Sequence, residues 1–181
     1  RQGRSDTLLP VIYDREQAMV EQQEQGIGFY FSGKAGRTGL EAYLFRKDAF
    51  AFAALPAGVL HVGGGRVVHP FSEELSLTAE AALQLGTLGT RSRRGLGGYF
   101  HLDHMPGRRF PVPAQLTLGG IYLSGDDPTT PRHEGWDAAF SRWPKWSDSL
   151  IYLQARETRV ADWTNFVSLY AGAVFEPAAK I

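Results

Sequence analysis

Residues 72–88 read SEELSLTAEAALQLGTL, and they run straight into GTRSRRGLGGYFHL at 89–102. The fold turns on this stretch, because it joins a long regular pattern to the chain's most unusual composition. Ser72 is a helix-capping residue type, and Glu73 and Glu74 fall in a first turn where the helix dipole favours carboxylates. Leu75, Ala79, Ala82, Leu83 and Leu88 then recur at helical steps. This reading predicts an amphipathic helix that Gly86 or Gly89 stops, a glycine–arginine loop over 86–98, and a strand over Tyr99–Leu102.

Upstream, Ile27–Ser32 (IGFYFS) and Leu40–Phe45 read as strands, with the Gly33–Gly39 break between them as a mobile loop. Ala49–Ala54 alternates Phe50 and Phe52 with small residues, which suits a strand. Val59–Val62 and Arg66–His69 flank Gly63, Gly64 and Gly65, a hairpin signal, and Pro70 ends the second of these strands. Asp14–Gln25 is polar and reads as a surface helix or connector. Downstream, Pro106, Pro111 and Pro113 mark a connector, and Gln115–Leu123 reads as a strand containing Gly119 and Gly120. Asp126–Gly135 follows as a loop and Leu150–Gln154 as a short strand. Trp163, Phe166, Tyr170 and Val174 lie at helical steps and predict a closing helix. The expected fold class is α+β: a ferredoxin-like (RRM-like) antiparallel sheet with helices on one face, over residues 1–109, plus a partial second domain or extension over 110–181.

The 181 residues, 20.0 kDa, suffice for a core without staples. With no cysteine there is no thiol chemistry, zinc knuckle or disulfide framework, which suits the cytoplasm. Lys plus Arg and Asp plus Glu are equal at 19 each, so any electrostatic function must be local. The longest uncharged apolar stretch, Ala49–Leu60, is too short to cross a bilayer and contains Pro56 and Gly58, and no membrane partner is expected. The chain starts at Arg1 and is read as trimmed.

Locally the charge is polarised. Residues 86–109 carry Arg91, Arg93, Arg94, Arg108 and Arg109 against Asp103, a net +4. Glycines let backbone amides approach a polyanion, and arginines add charge-assisted, often bidentate bonds to phosphate. Such contacts hold a nucleic-acid backbone without reading its bases. A plain glycine turn with solvated arginines is the alternative.

The run LQLGTLGTRSRRGLGGY, Leu83–Tyr99, resembles the glycine-rich loop of RAMP-superfamily proteins, the RNA-binding subunits of CRISPR effector complexes, and most of all a Cmr-like type III subunit. Gly86 and Gly89 match the first glycine pair, Arg91, Arg93 and Arg94 the basic patch, and Gly95 and Gly97 the closing glycines. The resemblance spans Leu55–Leu102, and the R-G-x-L/I-R segment usual on that family's first helix is absent. It implies a non-catalytic subunit gripping guide RNA, or a guide–target duplex, beside other subunits of a ribonucleoprotein. The implied RNA contacts are Gly89, Arg91, Arg93, Arg94, Gly95, Gly97, Gly98, Arg108 and Arg109.

Two other classes stay open. His101 and His104 flank Asp103, and histidine can move a proton near neutral pH, so a metal-independent endoribonuclease is the enzymatic alternative. A protein-interaction domain without nucleic acid is the other. Gly28, Gly33 and Lys34 give an incomplete P-loop, with Ala35 where a hydroxyl should ligate magnesium. Trp136, Trp143 and Trp146 with Arg142 and Lys145 form an aromatic–basic cluster, read chiefly as packing or interface. No metal or cofactor is expected.

Overall fold

Within residues 75–85, Ser76, Thr78, Glu80 and Gln84 share one parity, while Leu75, Leu77, Ala79, Ala81, Leu83 and Leu85 share the other. A period of two builds a strand with two unlike faces. That is its state in the computed structural model, which describes residues 24–51, 56–107, 114–139 and 164–175. The strands are β1 (Glu24–Ala35), β2 (Thr38–Ala49), β3 (Gly58–Pro70), β4 (Leu75–Leu88), β5 (Arg91–His104), β6 (Ala114–Leu123) and β7 (Phe166–Phe175). Each pairs antiparallel with the next, giving one sheet in the order β1 to β7.

The α+β ferredoxin-like expectation is therefore corrected: the described residues form an antiparallel sheet of seven strands with essentially no helix. The helix expected after Ser72 is β4. Ser72 instead caps a tight connection, its hydroxyl accepting from the Glu74 and Leu75 amides at 3.1 and 3.0 Å. The closing helix through Phe166, Tyr170 and Val174 is β7, with Trp163 outside the described residues. The expected 86–98 loop is the end of β4, a two-residue turn, and half of β5. Gly89 makes that turn at φ +58°, a conformation side chains disfavour. The Gly33–Gly39 break contracts to the turn at Gly36–Arg37, and Gly63–Gly65 lie inside β3 instead of in a hairpin turn. Pro70 does end a strand, and β6 and the Asp126–Gly135 loop stand as read. Ala49 closes β2, while residues 52–55, most of Asp14–Gln25 and Leu150–Gln154 lie outside the described residues. β6, past residue 110, pairs directly with β5.

The register gives the sheet two unlike faces. Every Lys, Arg, Asp and Glu of the seven strands lies on one face except Arg46, Asp48 and Arg94, which cluster towards one end of the other. The opposite face carries Ile27, Phe29, Phe31, Leu44, Leu83, Leu96, Phe100, Leu118, Val167 and Leu169, all exposed. Phe29 is 76% and Leu169 78% exposed, whereas Gln84 on the polar face is wholly buried. Burial is inverted relative to a protein whose sheet packs its apolar side inwards. The buried apolar cluster of Leu60, Val62 and Ala82 sits on the polar face, packed by Tyr43, Phe45, Trp136 and Ala139.

Candidate functional site

β6 stops at Leu123, opposite Gly97, so β5 loses its second neighbour over residues 91–96. The segment 124–139 takes that place and then crosses the polar face. The Arg94 amide donates to the His133 carbonyl at 2.9 Å and the His133 amide to that of Ser92 at 2.8 Å, a parallel bridge. The Ser124 amide donates to the Leu96 carbonyl at 2.9 Å. Ser124 then fixes the bend, since its carbonyl accepts from the Trp136 and Asn165 amides at 2.9 and 3.0 Å.

Side chains from three strands hold the far end. Gln84 on β4 uses both ends of its amide: Nε2 donates to the Asp137 carbonyl at 2.6 Å and Oε1 accepts from the Asp137 amide at 2.8 Å. Arg93 on β5 reaches the Asp137 carboxylate at 2.7 Å. Lys47 on β2 lies 3.4 Å from the same carboxylate, 3.0 Å from Glu24, and donates to the Ala139 carbonyl at 2.8 Å. The Trp136 ring lies over Gly97, where a Cβ would stand 2.7 Å from it; only glycine allows so close an approach. The near end of the segment is tied by Arg91, which pairs with Asp126 at 3.1 Å and donates to the Arg132 carbonyl. His133 Nδ1 lies 3.1 Å from Asp126. Burial pushes the Asp126 carboxyl up, but the Glu134 amide, Arg91 and His133 together outweigh it and hold it below its ordinary range. The Thr129 hydroxyl and amide likewise lower Asp127.

Further along the polar face, the Tyr43 hydroxyl donates to Glu80 at 2.6 Å, and Arg66 pairs with Glu41 at 3.1 Å. Tyr30 stands opposite Tyr43, and Tyr99 opposite Glu80. A cavity of about 500 Å³ lies between this cluster and the segment, lined by Tyr30, Tyr43, Phe45, Glu80, Gln84 and Trp136 among others.

The residues singled out in sequence are divided between the faces. Arg91, Arg93, Gly95 and Gly97 share the polar face; Gly89 is in the turn; Arg94 and Gly98 lie on the apolar face. Arg108 and Arg109 are outside the described residues, as are Trp143, Trp146, Arg142 and Lys145. His101 lies on the polar face, 3.7 Å from Asp103, whose carboxylate also accepts from Thr117 at 2.6 Å and Gln115 at 3.1 Å. His104 ends β5 on the apolar face, so the two histidines do not converge. Gly28, Gly33 and Lys34 lie in β1, so no phosphate-cradling loop forms. Among the described residues no group of three or more His, Asp or Glu could hold a metal.

No family model, no curated protein and no solved structure matches the chain.

Sequence reasoning missed the partners of the arginines. Asp126 and Asp137 lie 35 and 44 residues from Arg91 and Arg93, and no local spacing connects them. Gln84, a polar residue at inward parity in an otherwise apolar run, was the available signal.

Proposed function

We propose that the seven strands form wall of a transmembrane β-barrel whose polar interior passes small polar solutes across a lipid bilayer. The observation that carries this reading is the inverted burial: exposed Phe, Leu, Val and Ile on one face, ion-paired Lys, Arg, Asp and Glu on the other. In water the apolar face is a large liability. Against acyl chains it is the stable arrangement, because spanning barrels alternate apolar-out with polar-in.

The dimensions agree. The outward residues Leu75 to Leu85 of β4, at about 3.4 Å per residue, span about 34 Å along the strand and about 26 Å of height at a tilt of about 40°. A lipid-facing band is about 25 Å tall. The three charged residues of this face lie near one end, where Arg46 bonds Asp48 at 2.8 Å. Exposed Phe50 stands beyond the strands at that end and Phe71 at the other, where aromatic girdles belong. No helix among the described residues is long and apolar enough to cross a membrane, but a barrel crosses with strands. In this reading β1 and β7, the outermost described strands, each pair with a further strand, because a barrel leaves no open edge in lipid.

The RNA-gripping reading needs accessible arginines in a loop between helix and strand. That loop is a hairpin, and Arg91 and Arg93 are engaged by the chain's own Asp126 and Asp137.

Reconstitution tests the proposal. The chain should enter vesicles, migrate differently in heated and unheated detergent gels, and admit small sugars to the lumen. A chain that stays in the aqueous fraction, or that binds RNA with a steep salt dependence instead, refutes it.

A further inference from the structure

We infer that the segment 124–139 is the selectivity element of this conduit, narrowing its interior and setting the largest solute it passes. The inference rests on the barrel reading. The segment leaves β6 at Ser124, turns at Asp127–Thr130 and returns past Ser124 onto the polar face, where it is bonded to β2, β4 and β5 at once. A lipid-side or free loop needs no such anchorage. Gln84 is wholly buried and spends both amide groups on the Asp137 backbone, while Arg93 and Lys47, both nearly buried, converge on the Asp137 carboxylate.

The bulk of the segment is also in the right place. Trp136 and Ala139 stand on the Leu60, Val62 and Ala82 cluster, so they project from the wall into the interior. The space left beside them is the cavity of about 500 Å³ floored by Tyr43 and Phe45 and edged by Glu80. Ala138 lines it with a side chain that makes no described hydrogen bond, so a group attached there occupies the passage without removing an anchor. Pore diameter at the narrowest point governs which solutes pass.

The experiment uses the full chain in vesicles with neutral polyethylene glycols of graded size as probes. Because the chain has no cysteine, Ala138→Cys and Glu73→Cys each introduce a single thiol. A bulky thiol reagent on Ala138→Cys should slow entry of the small glycols about tenfold, with recovery on reduction, while the same group on Glu73→Cys, exposed in the β3–β4 turn and outside the segment, should change nothing. Trp136→Ala should admit glycols that the native chain excludes. If Trp136→Ala does not fold, as shown by loss of the heat-modifiable band, the thiol comparison decides alone. Unchanged entry after complete modification of Ala138→Cys in conducting vesicles overturns the inference and leaves the barrel reading intact. A native chain that conducts nothing overturns both.

Discussion

Replacing Ala81 with arginine puts a charge at mid-height of the apolar face. Ala81 is exposed, and its cross-strand neighbours are Gly65 and Gly98, so the longer side chain meets no steric obstacle. In a bilayer the guanidinium must either lose its hydration or snorkel, at a cost of about 2–4 kcal/mol at the midplane. That lowers the folded-to-unfolded ratio by about 30- to 700-fold, at about 1.4 kcal/mol per tenfold. Leu85→Arg is the internal control. Leu85 lies opposite Arg94 and His61, about 14 Å along the strand and about 10 Å in depth from Ala81, where the cost falls to about 0–1 kcal/mol. Were the face in water, both substitutions would fall within about 0.5 kcal/mol of the native chain. The assay is urea unfolding from lipid vesicles, followed by the mobility of unheated samples on detergent gels. A cost below about 0.5 kcal/mol at Ala81, or equal costs at both sites, refutes a lipid-facing surface.

Three further outcomes follow from the interior network. Asp137→Ala leaves Arg93 and Lys47 nearly buried without their shared carboxylate and should cost about 3 kcal/mol, whereas the double variant Arg93→Met, Asp137→Leu should recover most of it; equilibrium unfolding reads both. Gly97→Ala forces a Cβ to 2.7 Å from the Trp136 ring and should cost about 1–3 kcal/mol, less in a Trp136→Ala background, as a double-mutant cycle would show. Asp126 titrates below its ordinary 3.8, so its tie to Arg91 is fully present above that value and is lost as pH falls through the lower folded value. Hydrogen exchange over residues 124–139, corrected for intrinsic rates, should rise only below about pH 4. In Asp126→Asn the acid step should vanish.

The strands at Ile27–Ser32, Leu40–Phe45 and Gln115–Leu123 were legible because their residues carry local strand signals. β4 was not, since Ala79, Ala82 and Leu83 satisfy helical steps while Ser76, Thr78, Glu80 and Gln84 mark a period of two, and the alanines blur the contrast. The capping residue types at Ser72–Glu74 add to the helical steps, although Ser72 serves a tight turn instead. Gly63–Gly65 look like a turn, yet the Tyr43 ring packs over Gly64 in mid-strand, a fact set by the neighbouring strand. For the site, the arginines stood out but their carboxylates did not. Both ion pairs depend on how far β6 runs before the chain turns back, which no residue near Arg91 encodes.

In a barrel wall the two faces of β4 see different solvents. A spin-label scan of the cysteine-free chain in vesicles, one site at a time from Ser76 to Gly86, measures it through collision with oxygen and with a water-soluble nickel chelate. Leu77, Ala79, Ala81 and Leu83 should be oxygen-accessible and shielded from nickel, with Thr78, Glu80, Ala82 and Gln84 out of phase at a period of two. Nickel accessibility at Ala81 equal to that at exposed Thr129, or a period near 3.6, would rule out a lipid-facing surface on β4.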